Sequence, residues 1–161
     1  FSTNGTAPTA VKTITFTVTD PQGATSLPAG ALVTVTANSA PILTAPLGGG
    51  LVLLGAQVLS STAVILDDSS YLDQAVVTIT NVQSGDSLTF TPTGSITGTY
   101  SAGVLTLTGP VTVLEYQTVI QSIRFSKSIL NLLGFRNITM VVRDAQGLNS
   151  NTTSGTMTLV L

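Results

Sequence analysis

Lys12-Thr-Ile-Thr-Phe-Thr-Val-Thr-Asp-Pro-Gln-Gly23 and Arg136-Asn-Ile-Thr-Met-Val-Val-Arg-Asp-Ala-Gln-Gly147 lie 124 residues apart and match without a gap. In the first copy Ile14, Phe16 and Val18 alternate with Thr; in the second Ile138, Met140 and Val142 hold the same places, and both runs end in a Gly-bearing turn signal. A period of two gives one buried and one wetted face, which is a β-strand entering a tight turn. The match runs on without gaps: Phe1-Ser2 falls on Phe125-Ser126, Ser26 on Ser150 and Thr34 on Thr158. It totals 10 identities in 37 positions, where composition alone supplies roughly three or four. Other pairs swap like for like, among them Lys12 with Arg136, Val33 with Met157 and Val35 with Leu159. The chain of 161 residues thus reads as one period of 124 and 37 residues of the same repeat.

Further alternating runs occupy Leu32 to Thr36, Val76 to Thr80, Leu88 to Thr91, Val104 to Thr108 and Thr156 to Leu161. Turn clusters separate them: Asp20-Pro-Gln-Gly23, Ser84-Gly-Asp86, Thr93-Gly94, Ala102-Gly103 and Gly109-Pro110. Many short strands with turn signals at this spacing predict an all-β Greek-key sandwich. One segment departs from the period of two. Thr112-Val-Leu-Glu115 has the form of a capping box, and Tyr116, Val119, Ile120 and Ile123 follow at helical spacing, so a helix of two to three turns is expected across one open end of the sandwich. Gly48-Gly-Gly50 reads as a hinge or strand kink, since no nucleotide-binding fingerprint follows it.

Composition narrows the chemistry. There are 5 Lys and Arg, 7 Asp and Glu, no His, no Cys and no Trp, for a net charge of −2. Imidazole acid–base chemistry, thiol nucleophiles and Cys/His zinc sites are therefore excluded. Five scattered cations do not make the dense basic face that a nucleic-acid partner requires. Asp67 and Asp68 are adjacent and would point to opposite sides of a strand rather than face across a glycosidase cleft, and Lys12 and Lys127 sit in no catalytic motif. No enzymatic role is expected, and no catalytic residue is assigned. Hydroxyls replace charge, with 28 Thr and 16 Ser. A wet but uncharged surface suits an extracellular or cell-surface protein that is glycosylated or packed against copies of itself. No run of 18 apolar residues is present, so no membrane span is expected, and nothing from Phe1 onward has the form of a signal peptide.

Read in order, the chain carries Asn38-Ser-Ala-Pro-Ile-Leu43, Val64-Ile-Leu-Asp-Asp68, Val76-Val-Thr-Ile-Thr80, Gly85-Asp-Ser-Leu-Thr-Phe90, Ile96-Thr-Gly-Thr-Tyr100, Gly103 to Gly109, Glu115-Tyr-Gln117 with Ile120 to Ile123, and Ile138 to Gly147. This order resembles the cadherin-like, Ig-like tandem repeats of large bacterial surface adhesins and related extracellular proteins. The resemblance implies an Ig/cadherin-like sandwich, a cell-surface location, adhesive or spacer roles, and often calcium at repeat junctions. Ser39 stands where linkers of that family commonly carry Asp. The expected division is 1–37 as the closing strand pair of a preceding repeat, 38–40 as linker, and 41–161 as a complete repeat.

If strands alternate in direction, the loop bearing Asp67, Asp68 and Asp73, the turn at Asp144 and the linker at Asn38 lie at one end. Such carboxylates could hold a calcium ion, which takes six to eight oxygens; equally, Asp67, Asp68 and Asp144 could cap turns through their own backbone. Glu115 belongs to the capping box. Asn4, Asn137 and Asn151 open N-glycosylation sequons. Tyr71 and Tyr100 are the aromatics open to a carbohydrate, with packing as the alternative. The expected function is a non-catalytic structural repeat or subunit of an extracellular filament, surface layer or adhesin stalk, stacking end to end on neighbouring repeats or identical subunits. The alternative is a calcium-dependent adhesive or carbohydrate-binding module that meets surface glycans.

Overall fold

The computed structural model describes residues 10–52, 55–127 and 134–160. The chain divides into two compact units, Phe1–Asn38 and Ser39–Leu161.

Among the described residues the first unit contains one antiparallel hairpin, β1 (Ala10–Phe16) and β2 (Ala29–Val35), with Ala10 opposite Val35 and Ile14 opposite Ala31. The second unit holds β3 (Ile42–Thr44), β4 (Gly48–Val52), β5 (Gln57–Val58), β6 (Val64–Leu66), β7 (Tyr71–Ile79), β8 (Ser87–Thr89), β9 (Thr97–Ser101), β10 (Val104–Thr112), α1 (Val113–Ser122), β11 (Arg124–Ser126), β12 (Gly134–Asp144) and β13 (Thr153–Leu159). It is an all-β sandwich with one short helix. A six-stranded sheet in the order β4-β13-β12-β7-β10-β9 faces a three-stranded sheet, β5-β11-β8, and the pair β3-β6. Inward side chains of the large sheet, such as Leu72, Val77, Leu105, Leu107, Ile138, Met140 and Met157, join Leu43, Ile65, Leu88 and Phe125 from the small sheets in one core.

The large sheet is antiparallel except at one edge, where β4 runs parallel to β13 with a register break between Thr156 and Thr158. The three glycines expected to form a hinge or kink open β4, opposite that register break. Gly48 has φ +93, and a Cβ there would run into the Thr156 backbone, so the close approach itself requires glycine. Two more irregularities lie side by side. Opposite β7, the registers of β10 and β12 both jump across Asp73, between Thr108 and Val111 and between Arg143 and Asp144. Gly109 and Pro110 occupy that break in β10, which is how a proline is accommodated in an interior strand.

Helix α1 opens on the expected capping box. Thr112 Oγ1 accepts from the Glu115 amide at 3.3 Å, and the Glu115 carboxylate accepts from the Thr112 amide at 2.9 Å. Tyr116, Val119 and Ile120 are buried, while the flank of the helix beside them does something the periodicity does not reveal. Gln117 Oε1 accepts from the Ile65 amide at 3.1 Å and Gln121 Nε2 donates to the Ala63 carbonyl at 2.8 Å. The helix thus covers the free edge of β6 with side-chain amides, in the place a further strand would take.

Candidate functional site

The repeat seen in the sequence is a repeat in structure. In β12–β13, Gly134 faces Leu159, Arg136 faces Met157 and Ile138 faces Gly155. In β1–β2, Ala10 faces Val35, Lys12 faces Val33 and Ile14 faces Ala31, which is the same register 124 residues earlier. The turns agree as well. Asp144 Oδ1 accepts from the amides of Gln146 and Leu148 at 2.9 and 2.8 Å; Asp20 Oδ1 accepts from those of Gln22 and Ala24 at 3.0 and 2.9 Å. Ser150 Oγ accepts from the Val142 amide at 3.0 Å, and Ser26 Oγ from the Val18 amide at 3.0 Å. The identities at Asp20/Asp144, Gly23/Gly147 and Ser26/Ser150 are therefore turn architecture, with each carboxylate standing in for the backbone acceptors of an Asx turn.

Burial is where the two copies part. Ile138, Met140, Val142 and Met157 are buried. Their counterparts Ile14, Phe16, Val18 and Val33 are 44%, 57%, 72% and 38% exposed. Burying such side chains is worth roughly 1.5–3 kcal/mol each, so the face of β1–β2 holds a large driving force for association. A second apolar surface lies on the outer side of β3–β6, where Ile42, Val64 and Leu66 are exposed.

The acidic end is less of a cluster than the sequence suggests. Asp73 is not in a loop but within β7, at the register break, and Arg143 holds it through paired contacts of 2.8 and 2.9 Å. Asp68 accepts from the Ser39 amide, at 3.2 Å to one oxygen and 3.0 Å to the other. Asp144 is fully buried and holds its turn. Asp67 differs: both carboxylate oxygens are shielded from solvent and have no hydrogen-bond partner. Burial pushes its pKa up, the Ser69 amide opposes that rise, the Asp144 and Asp68 charges add to it, and the Asp68 amide opposes it a little. Asp67 and Asp68 line a shallow pocket with Ser39, Ala40, Ile42 and Leu66. Among the described residues no group of three or more His, Cys, Asp or Glu is placed to hold a metal ion. The structure therefore places Asp67 within reach of the Asp68 and Asp144 charges and leaves Asp73 in a salt bridge.

The remaining candidates are quickly located. Asn137 lies within β12, where its Oδ1 accepts from Thr156 Oγ1 at 3.0 Å. Asn151 spends its amide on the Leu43 backbone, accepting from N and donating to O at 2.9 Å each, which ties β3 to the start of β13. Asn4 lies outside the described residues. Tyr71 is exposed, whereas Tyr100 is half-buried and donates to the Asp86 carbonyl at 2.9 Å.

Sequence reasoning missed the buried ion pair of Arg136 with Asp86. Arg136 Nη2 reaches Asp86 Oδ1 at 3.2 Å, Nε meets Oδ2, and the Gln83 amide donates to Oδ2 at 2.8 Å. The available signal was parity: Arg136 stands in line with Ile138, Met140 and Val142, so its alternation places it inside.

Comparison with family models, with curated proteins and with solved structures returns no match. No described helix is long and apolar enough to cross a membrane. What the geometry defines is a class: an all-β sandwich, in a chain that also holds a second copy of the sandwich's closing hairpin with Ile14, Phe16, Val18 and Val33 exposed.

Proposed function

We propose that this chain is a structural repeat of an extracellular filament, surface layer or adhesin stalk, built by the end-to-end stacking of sandwiches. One observation carries this reading: β1–β2 duplicates β12–β13 in register and turn bonding but has its core-side residues Ile14, Phe16, Val18 and Val33 in solvent. A hairpin of that kind is marginal alone and becomes stable as the last two strands of a sandwich. The scarcity of charge and the abundance of Thr and Ser support the same reading, since a nearly uncharged surface is tolerable when assembly buries part of it. So does the order of motifs that resembles cadherin-like surface repeats. Negative-stain imaging of the native protein tests the proposal: fibres or sheets with a sandwich-sized axial repeat are expected, and discrete particles would overturn it.

A second reading, calcium-dependent adhesion, draws on the unpartnered Asp67 carboxylate beside Asp68 and Asp144. Under it, excess calcium raises the melting temperature through the linkage of binding to folding, and Asp144→Ala abolishes the rise. The absence of any shift in the full chain would end that reading.

A further inference from the structure

The two hairpins agree in register and turn hydrogen bonds, and most of their core-side differences are ones a sandwich can absorb. Lys12 keeps the charge of Arg136, Phe16 takes the place of Met140, and Val33 and Val35 take those of Met157 and Leu159. Apolar exchanges of this size usually cost little when one position grows and its neighbours shrink.

One difference, Thr19 for Arg143, removes the partner of Asp73 on the outer face, and two more bear on how the hairpin docks. Ala31 occupies the position of Gly155. In the second unit a Cβ at Gly155 would collide with the Leu47 backbone carbonyl and with Leu47 Cβ. The obstacle is main chain leading into β4, so it cannot swing aside as the far end of a flexible side chain would. Leu27 occupies the position of Asn151, whose side-chain amide makes both hydrogen bonds to Leu43 that hold β3. Leucine can make neither, and the Leu43 amide and carbonyl would be left without those partners in a partly buried setting.

Lys12 adds a requirement of its own. Its counterpart Arg136 is buried and paired with Asp86, so a covered Lys12 needs a carboxylate at the equivalent place, because a buried unpaired ammonium is strongly disfavoured.

We propose that the body covering β1–β2 is a sandwich of the same topology as residues 41–127 but of different sequence, and that a second copy of this chain cannot serve. The acceptor presents an antiparallel edge to β1 as β7 does to β12, and a parallel edge to β2 as β4 does to β13. It carries a carboxylate opposite Lys12, leaves room for the Ala31 methyl, and has a β3-like strand that needs no amide at the position of Leu27. Ala31 and Leu27 thus act as specificity residues that stop identical units from exchanging hairpins. This inference rests on the repeat reading above and names its partner.

The test uses the full chain with residues 134–160 rewritten as the sequence of residues 10–36, Arg143 being kept throughout so that Asp73 retains its ion-pair partner. Near-ultraviolet circular dichroism, which follows buried Tyr116, should show the cooperative thermal transition of the unchanged chain lost. A second variant carries the same rewriting but retains Asn151 and Gly155; its cooperative transition should return. If the complete rewriting melts like the unchanged chain, the hairpins are interchangeable and the proposal is overturned. If retaining Asn151 and Gly155 restores nothing, those two positions are not what discriminates, and the proposal is equally overturned. Failure of the repeat reading would show separately, as discrete particles in images of the untouched native protein.

Discussion

Arg136 and Asp86 meet inside the sandwich, guanidinium fork against carboxylate, with 4% and 7% of their surfaces reaching solvent. The pair joins β12 to the loop that enters β8, and so ties the large sheet to the small one across the core. Removing one partner leaves the other charged and enclosed, which typically costs about 3–5 kcal/mol. Asp86→Ala and Arg136→Met should each lower stability by that order in urea unfolding of the full chain. The double variant should recover part of the loss, because it leaves no unpaired charge behind.

Asp67 should behave in the opposite way. Its carboxylate is shielded from solvent, and its pKa is raised by burial, which the Ser69 amide opposes and the neighbouring Asp144 and Asp68 charges reinforce. The folded state therefore holds the proton to a higher pH than the unfolded chain, whose value is near 3.8. In the window between the two values the folded state binds more protons, so this group adds stability as pH falls through its raised pKa. Asp67→Asn should raise stability at pH 7 by on the order of 1 kcal/mol. The advantage over the unchanged chain should shrink as pH is lowered toward 4, read as the difference between paired melting curves.

Thr112 sets the start of α1. Thr112→Ala removes the acceptor of the Glu115 amide and should cost about 1 kcal/mol. Hydrogen bonds from Thr112 hold the Glu115 pKa below its ordinary value. Because that value is depressed in the folded state, its stabilising contribution is present above the unfolded carboxylate range and lost as pH falls through the folded pKa. Thermal melts of Thr112→Ala should accordingly show a weaker acid-side decline than those of the unchanged chain.

Gln117 and Gln121 close the edge of β6. Replacing both by Leu keeps helix propensity but strips the Ile65 amide and the Ala63 carbonyl of their partners, at about 1–3 kcal/mol for each group left unpaired. Amide hydrogen exchange should then quicken at Ile65 and in β3–β6 before it does in β7, β10 or β12.

The elements that were legible in the sequence are those that carry their own local code. Ile138, Met140 and Val142 alternate through β12, and Thr112 with Glu115 announces α1. What escaped depends on partners distant in the chain. The parallel pairing of β4 with β13 arises because Gly48 and Gly155 permit close backbone approach, which no local pattern encodes. Asp73 reads as part of one loop with Asp67 and Asp68 because acids close in sequence look like a loop, whereas it lies within β7 at a register break and pairs with Arg143. The buried Asp86 sat among turn residues, Ser84-Gly-Asp86, and only the parity of Arg136 pointed to its partner.

If a non-identical sandwich covers β1–β2, the simplest source is the same polypeptide. Denaturing mass spectrometry of the native protein should then give a mass well above the 16.4 kDa of this chain.

The central claim is that in the native protein β1 and β2 are closing strands of a sandwich. Hydrogen–deuterium exchange on native assembled material, compared with the isolated 161-residue chain, addresses it most directly. Amides of Lys12 to Phe16 should exchange fast in the isolated chain and, in the native material, as slowly as those of Arg136 to Met140. Equally fast exchange of β1 in both samples, with β12 protected throughout, would contradict it.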